Sequence, residues 1–98
     1  MVVGVCRLTL TIPEGLNDSL KGKRGVVKRV ISRTRNEFNV AMAEVGDNDV
    51  WDSAVLGFAV VANDHRFVNQ VVDKVVHFIQ ELYLAEVEDW ETEILHLW

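Results

Sequence analysis

The 98-residue sequence holds one cysteine and one proline. A lone Cys6 excludes an intrachain disulfide framework. It sits in an apolar alternating run, so a buried, reduced thiol is expected, in keeping with a cytoplasmic compartment. His65, His77 and His96 are widely spaced, and with a single cysteine they offer no metal-ligand motif; neither a metal nor a cofactor is expected. Asp47, Asp49 and Asp52 lack the calcium-loop pattern and read as turn and cap residues. Ser19 has no recognisable base. Long apolar runs are also missing. The opening VVGVCRLTLTI is broken by Arg7 and by threonines, with no basic segment before it, so no signal peptide and no membrane helix are expected. Repeats, linkers and low-complexity tracts are absent, and residues 1–98 read as one domain.

One further absence is local. Between Ser19 and Arg35 there is no acidic residue, although acids outnumber bases fifteen to ten overall and the net charge is -5. Seven of the ten bases fall in this stretch: Lys21, Lys23, Arg24, Lys28, Arg29, Arg33 and Arg35. The acids gather elsewhere, in Glu86, Glu88, Asp89, Glu91 and Glu93 and in the Asp47–Asp52 loop. A chain so divided is strongly dipolar, and a dipolar surface orients a charged partner.

What is present is 49% hydrophobic, a globular composition. Residues 2–12 alternate, with Gly4, Cys6, Leu8, Leu10 and Ile12 on one face and Val3, Val5, Arg7, Thr9 and Thr11 on the other. That is a strand with one face in a core. Pro13-Glu14-Gly15 ends it, and Leu16-Asn17-Asp18 leads to Ser19, a good helix N-cap. From there Leu20, Val27, Ile31, Thr34 and Phe38 recur at helical spacing. Lys21, Arg24, Lys28 and Arg35 project along one edge of this helix, Arg29 and Arg33 lie on its back, and Lys23 falls near the apolar face. Gly22 and Gly25 weaken its first turns by roughly 1–2 kcal/mol against alanine.

Asn39 to Val45 and Ala54 to Ala62 read as strands separated by a turn-rich loop. Asn63-Asp64 caps a second helix, over 65–82, with Phe67, Val68, Val71, Val72, Val75, Val76, Phe78, Ile79 and Leu82 on its apolar side. Glu86 to Trp98 reads as the last strand. The order β-α-β-β-α-β, with right-handed crossovers, predicts a ferredoxin-like sandwich: a four-stranded antiparallel sheet in the order 4-1-3-2, with both helices on one face. The expected core is Cys6, Leu8, Leu10, Val27, Ile31, Leu56, Phe58, Val60, Val72, Val75 and Ile79. Acylphosphatases share this topology, but the acidic turn after the first strand here lacks their glycine-rich, arginine-bearing anion cradle. A non-enzymatic domain is expected.

The segments MVVGVCRLTLTIP, SLKGKRGVVKRV, FNVAMAEVGDNDVW and LGFAVVANDHRFVNQVVDKVVHFI resemble the bacterial YlxP-like family of small domains of unknown function. The resemblance covers nearly the whole chain, weakening after about Tyr83. The chain departs from the family pattern at Gly22 and Gly25, where charged residues are usual. The resemblance implies the ferredoxin-like fold. It also implies a link to translation, because genes of this family commonly lie among those for translation initiation and ribosome maturation; it implies no established activity.

Two surfaces emerge. The basic helix, through Lys21, Arg24, Lys28, Arg29, Arg33 and Arg35, suits phosphate contact with structured RNA or a ribosomal particle. Its alternative role is a solvated face neutralised by the acidic C-terminal segment. The open sheet face has no aromatic from the first or third strand, which argues against base stacking of single-stranded RNA. Val3, Val5, Val55, Val61, Ile94 and Trp98 are expected to form an apolar patch there, suited to a homodimer or a partner protein.

Overall fold

The computed structural model describes residues 1–15 and 19–98; the lead-in Leu16-Asn17-Asp18 lies outside the described residues. Six elements follow in the order β1 (Val2–Thr11), α1 (Leu20–Glu37), β2 (Ala41–Gly46), β3 (Ser53–Ala62), α2 (His65–Leu82) and β4 (Glu86–His96). The sheet runs β2-β3-β1-β4, antiparallel at every pairing. This is the predicted topology, with strand ends moved by one or two residues. β4 differs most, since Leu97 and Trp98 lie beyond its end.

The period-two pattern of β1 and β3 builds the core. β1 pairs with β3 without interruption from Val2↔Ala62 to Thr11↔Ser53. Val2, Cys6, Leu8 and Leu10 therefore share a face with Ala54, Leu56, Phe58 and Val60, and all are buried under the helices. Gly4 lies in the same row. A Cβ there would stand 2.4 Å from Val68 Cγ1. Val68 is β-branched and stiff, so glycine lets α2 approach the sheet this closely. α2 begins behind Asp64, whose carboxylate accepts the Phe67 N–H at 3.1 Å. Burial of Val68, Val72, Val75, Val76 and Ile79 then holds a valine-rich helix that propensity alone does not favour.

The buried stripe of α1 is turned slightly from the predicted one. Lys23, Val26, Val27, Val30 and Thr34 are buried, whereas Leu20, Ile31 and Phe38 are half-buried. Ile31 and Phe38 still pack against the core. Phe38, at the end of α1, meets Phe78 of α2 edge to face, with centroids 5.4 Å apart. Thr34 is fully buried, and its hydroxyl donates to the Val30 carbonyl at 2.7 Å, so it leaves no orphan donor.

Candidate nucleic-acid interface

α1 packs on β2 and on α2 and so lies at the β2 flank of the sheet. Lys23 ties it to β2. This side chain is fully buried, and its ammonium stands 3.0 Å from the half-buried Glu44 carboxylate on β2. It also donates to the Asp47 carbonyl just beyond β2. The periodicity suggested a snorkelling lysine; the structure shows a buried ion pair between helix and edge strand. Farther along, the Arg35 guanidinium donates to the Met42 carbonyl of the same strand. Lysine and arginine thus bracket β2 from above, and Arg35 occupies an acceptor of an edge strand.

The other α1 cations are free of such ties. Lys21, Arg24, Lys28, Arg29 and Arg33 are all exposed, as is the Arg35 side chain despite its bond to β2. Among the described residues, the ion pairs are Arg7–Glu91 and Lys23–Glu44, and His77 stands 3.7 Å from the Glu81 carboxylate. None joins an exposed α1 cation to an acid. Arg24, Lys28 and Arg35 line one groove of about 570 Å³ between α1 and β2, floored by Val27, Ile31 and Met42. Arg29 and Arg33 stand outside it.

The acidic strand is at the opposite edge. β4 and β2 are separated by three inter-strand steps of about 4.8 Å each, or roughly 14 Å across the sheet. That exceeds the Debye length of about 8 Å at physiological salt. Salt screening over that separation weakens attraction between α1 and the C-terminal acids of the same chain. Two of those acids have nearer partners: Glu91 accepts from Arg7 at 2.7 Å, and Glu88 accepts from the Thr11 hydroxyl at 2.6 Å.

Helix electrostatics sharpen the point. The first turn of α1 contains no acid, and Lys21 and Arg24 sit near its positive end. Cations there are unfavourable by a few tenths of a kcal/mol each. Their placement is not explained by helix stability.

The open sheet face is only partly as expected. Val3, Val5, Val55 and Val61 do lie on it, with Val61 60% exposed. Ile94 does not. It pairs with Gly4, on the helix side, and packs half-buried against the core. Leu95, opposite Val3, takes the open-face position instead. Trp98 stands fully exposed beyond β4 and outside the sheet. Across the middle of this face runs a shallow groove of about 920 Å³, floored by Ala41, Ala43, Gly57 and Ala59 and bordered by Arg7, Glu91 and Glu93. Cys6 lies beneath it, buried, and burial pushes its thiol pKa above the ordinary value against a weaker pull from a hydrogen bond with Thr92.

Topology, helix placement and register together define a ferredoxin-like α+β domain with a basic helix at one sheet edge and an acidic strand at the other. A de novo designed ferredoxin-fold protein, LFR1, superposes with a TM-score of 0.53 at 16% identity, over 97% of this chain and 83% of that one. A putative chlorite dismutase superposes with a TM-score of 0.53 at 11% identity, over 96% of this chain but 44% of that one. At these identities the likeness concerns the fold alone. The chain belongs to the family described as protein of unknown function DUF503, whose model matches residues 3–92. The uncharacterized protein YlxP of Bacillus subtilis (strain 168) is 38% identical over 61 residues, 62% of this chain and 66% of the relative, just under two thirds of its length.

Proposed function

We propose that this domain acts without catalysis, in the cytoplasm, by contacting structured RNA or a ribosomal particle through α1. The observation that carries the reading is the set of exposed α1 cations with no acidic partner among the described residues, at the sheet edge remote from β4. Cations so placed supply sequence-independent affinity by releasing counterions from a phosphate backbone. Arg24 and Lys28 are one turn apart, about 6 Å along the helix axis, so they suit neighbouring phosphates. The groove beside them carries no aromatic side chain, which favours contact with backbone over stacking on bases. The test is retention on ribosomal particles or structured RNA by Arg24→Glu/Lys28→Glu at low and high salt. Retention that is lost in the variant, and that falls with salt in the parent, supports the reading.

A second reading has its own observation. Val61, Val45 and Leu95 are 60%, 58% and 43% exposed around the open-face groove. A homodimer through this face covers them. Sedimentation over a range of concentrations tests it. The two readings are compatible, because α1 and the open face lie on opposite sides of the sheet.

A further inference from the structure

His65 opens α2 and His96 closes β4, thirty-one residues apart. The fold brings their rings together. His65 Nδ1 stands 2.8 Å from His96 Nε2, with the rings 13° from parallel and their centroids 5.0 Å apart. Both backbones are well fixed. His96 is paired with Val2 in the β1–β4 ladder, and His65 follows the Asp64 cap of α2. Both side chains are exposed, so an ion can reach them. A hydrogen bond between two imidazoles needs a lone pair on one of them, so at least one ring is neutral. Neutral imidazole nitrogen is the common ligand for borderline transition metals.

The observed 2.8 Å is the length of the hydrogen bond between the rings, which face each other nitrogen to nitrogen. With metal–nitrogen bonds of about 2.0–2.1 Å, two nitrogens on one centre stand about 2.9 Å apart at a right angle and about 3.4 Å apart at the tetrahedral angle. Both exposed rings therefore need to turn, but hardly to separate, to share one ion. We propose that His65 and His96 form a two-imidazole site for a divalent transition-metal ion, with Cu²⁺ preferred over Ni²⁺ and Zn²⁺. Binding breaks the N–H···N bond: the donor ring keeps its proton on its other nitrogen, and both freed lone pairs turn toward the ion. Among the described residues no group of three or more His, Cys, Asp or Glu converges, so water completes the coordination. The ion ties the start of α2 to the end of β4, beside the corner where the Met1 ammonium donates to the Leu97 carbonyl at 2.7 Å.

His77 is the internal control. It faces Glu81 one turn along α2 at 3.7 Å, a weaker pairing on a single helix. The experiment is calorimetric titration of the full chain with CuCl₂, NiCl₂ and ZnCl₂ in a non-chelating buffer, alongside His65→Gln, His96→Gln and His77→Gln. The proposal expects saturable one-to-one binding, tightest for Cu²⁺. His65→Gln and His96→Gln should each weaken it by at least the roughly tenfold that even an outer-shell partner is worth. His77→Gln should leave it unchanged, and circular dichroism should show all three variants folded, since each position is exposed. Absence of saturable binding overturns the site. So does a loss confined to His77→Gln, or one confined to a single member of the His65–His96 pair.

Discussion

Lys23 and Glu44 show how much a single residue decides here. A fully buried ammonium is costly unless it is paired and hydrogen-bonded, and this one has a carboxylate and a carbonyl. The partners are unequal. Glu44 keeps 17% of its side chain in contact with solvent, whereas Lys23 keeps none. Removing Glu44 strands a buried charge, and Glu44→Ala should cost about 3 kcal/mol or more. Lys23→Met strands the buried Glu44 Oε2, but Glu44 keeps part of its side chain in water, so this substitution should cost less. Denaturant unfolding of both variants checks the order, and the reverse order contradicts it. Cys6 makes a second prediction at this scale. Its pKa is raised in the fold by burial, so the unfolded chain gives up the thiol proton first as pH rises. Its contribution to stability is complete below the ordinary thiol range near pH 8.5 and declines above it, by at most about 1.36 kcal/mol per pH unit. Cys6→Ala should lose this slope in pH-dependent unfolding. In native protein Cys6 should react slowly with thiol reagents.

At the scale of elements, the helices and strands were legible because their periods are clean. β1 and β3 bury the face that alternation selects, and α2 buries the centre of its apolar side while Phe67 stays exposed and Val71, Phe78 and Leu82 half-buried. The less legible features arise where two patterns compete. Lys23 adjoins the apolar stripe of α1, and only a partner twenty-one residues on, Glu44, turns a snorkelling position into a buried pair. β4 has apolar residues on both faces, Ile94 on one and Leu95 on the other, so alternation does not choose between them. The ladder with β1, shifted between Thr9 and Leu10, settles Ile94 on the helix side. The His65–His96 pair has no sequence signal at all, because its spacing follows from topology. The basic residues of α1 were all legible, but the freedom of most and the tie of Arg35 were not. For α1 itself, Lys21→Glu with Arg24→Glu places acids at the positive end of the helix. The exposed positions and the dipole together predict a gain of about 0.3–1 kcal/mol per site. A melting temperature that rises modestly checks this; a clear fall shows that these cations hold the fold.

For the whole molecule, both sheet edges are guarded. Arg35 engages a β2 carbonyl, and β4 presents Glu86, Glu88, Asp89, Glu91 and Glu93. Charged side chains on an edge discourage strand-to-strand association, which favours the open face for the proposed homodimer. Val61→Lys on that face should yield a folded monomer where the parent sediments as a dimer. A parent that is monomeric at high micromolar concentration contradicts this. The same separation of edges supports the proposal that α1 meets phosphate rather than balancing charge within the chain. The most direct measurement compares parent and Arg24→Glu/Lys28→Glu for retention on structured RNA across a salt series. Phosphate contact through α1 predicts strong loss of retention, a salt slope reduced by roughly one unit per phosphate contact removed, and an undiminished melting temperature. Unchanged retention with an unchanged salt slope would contradict it.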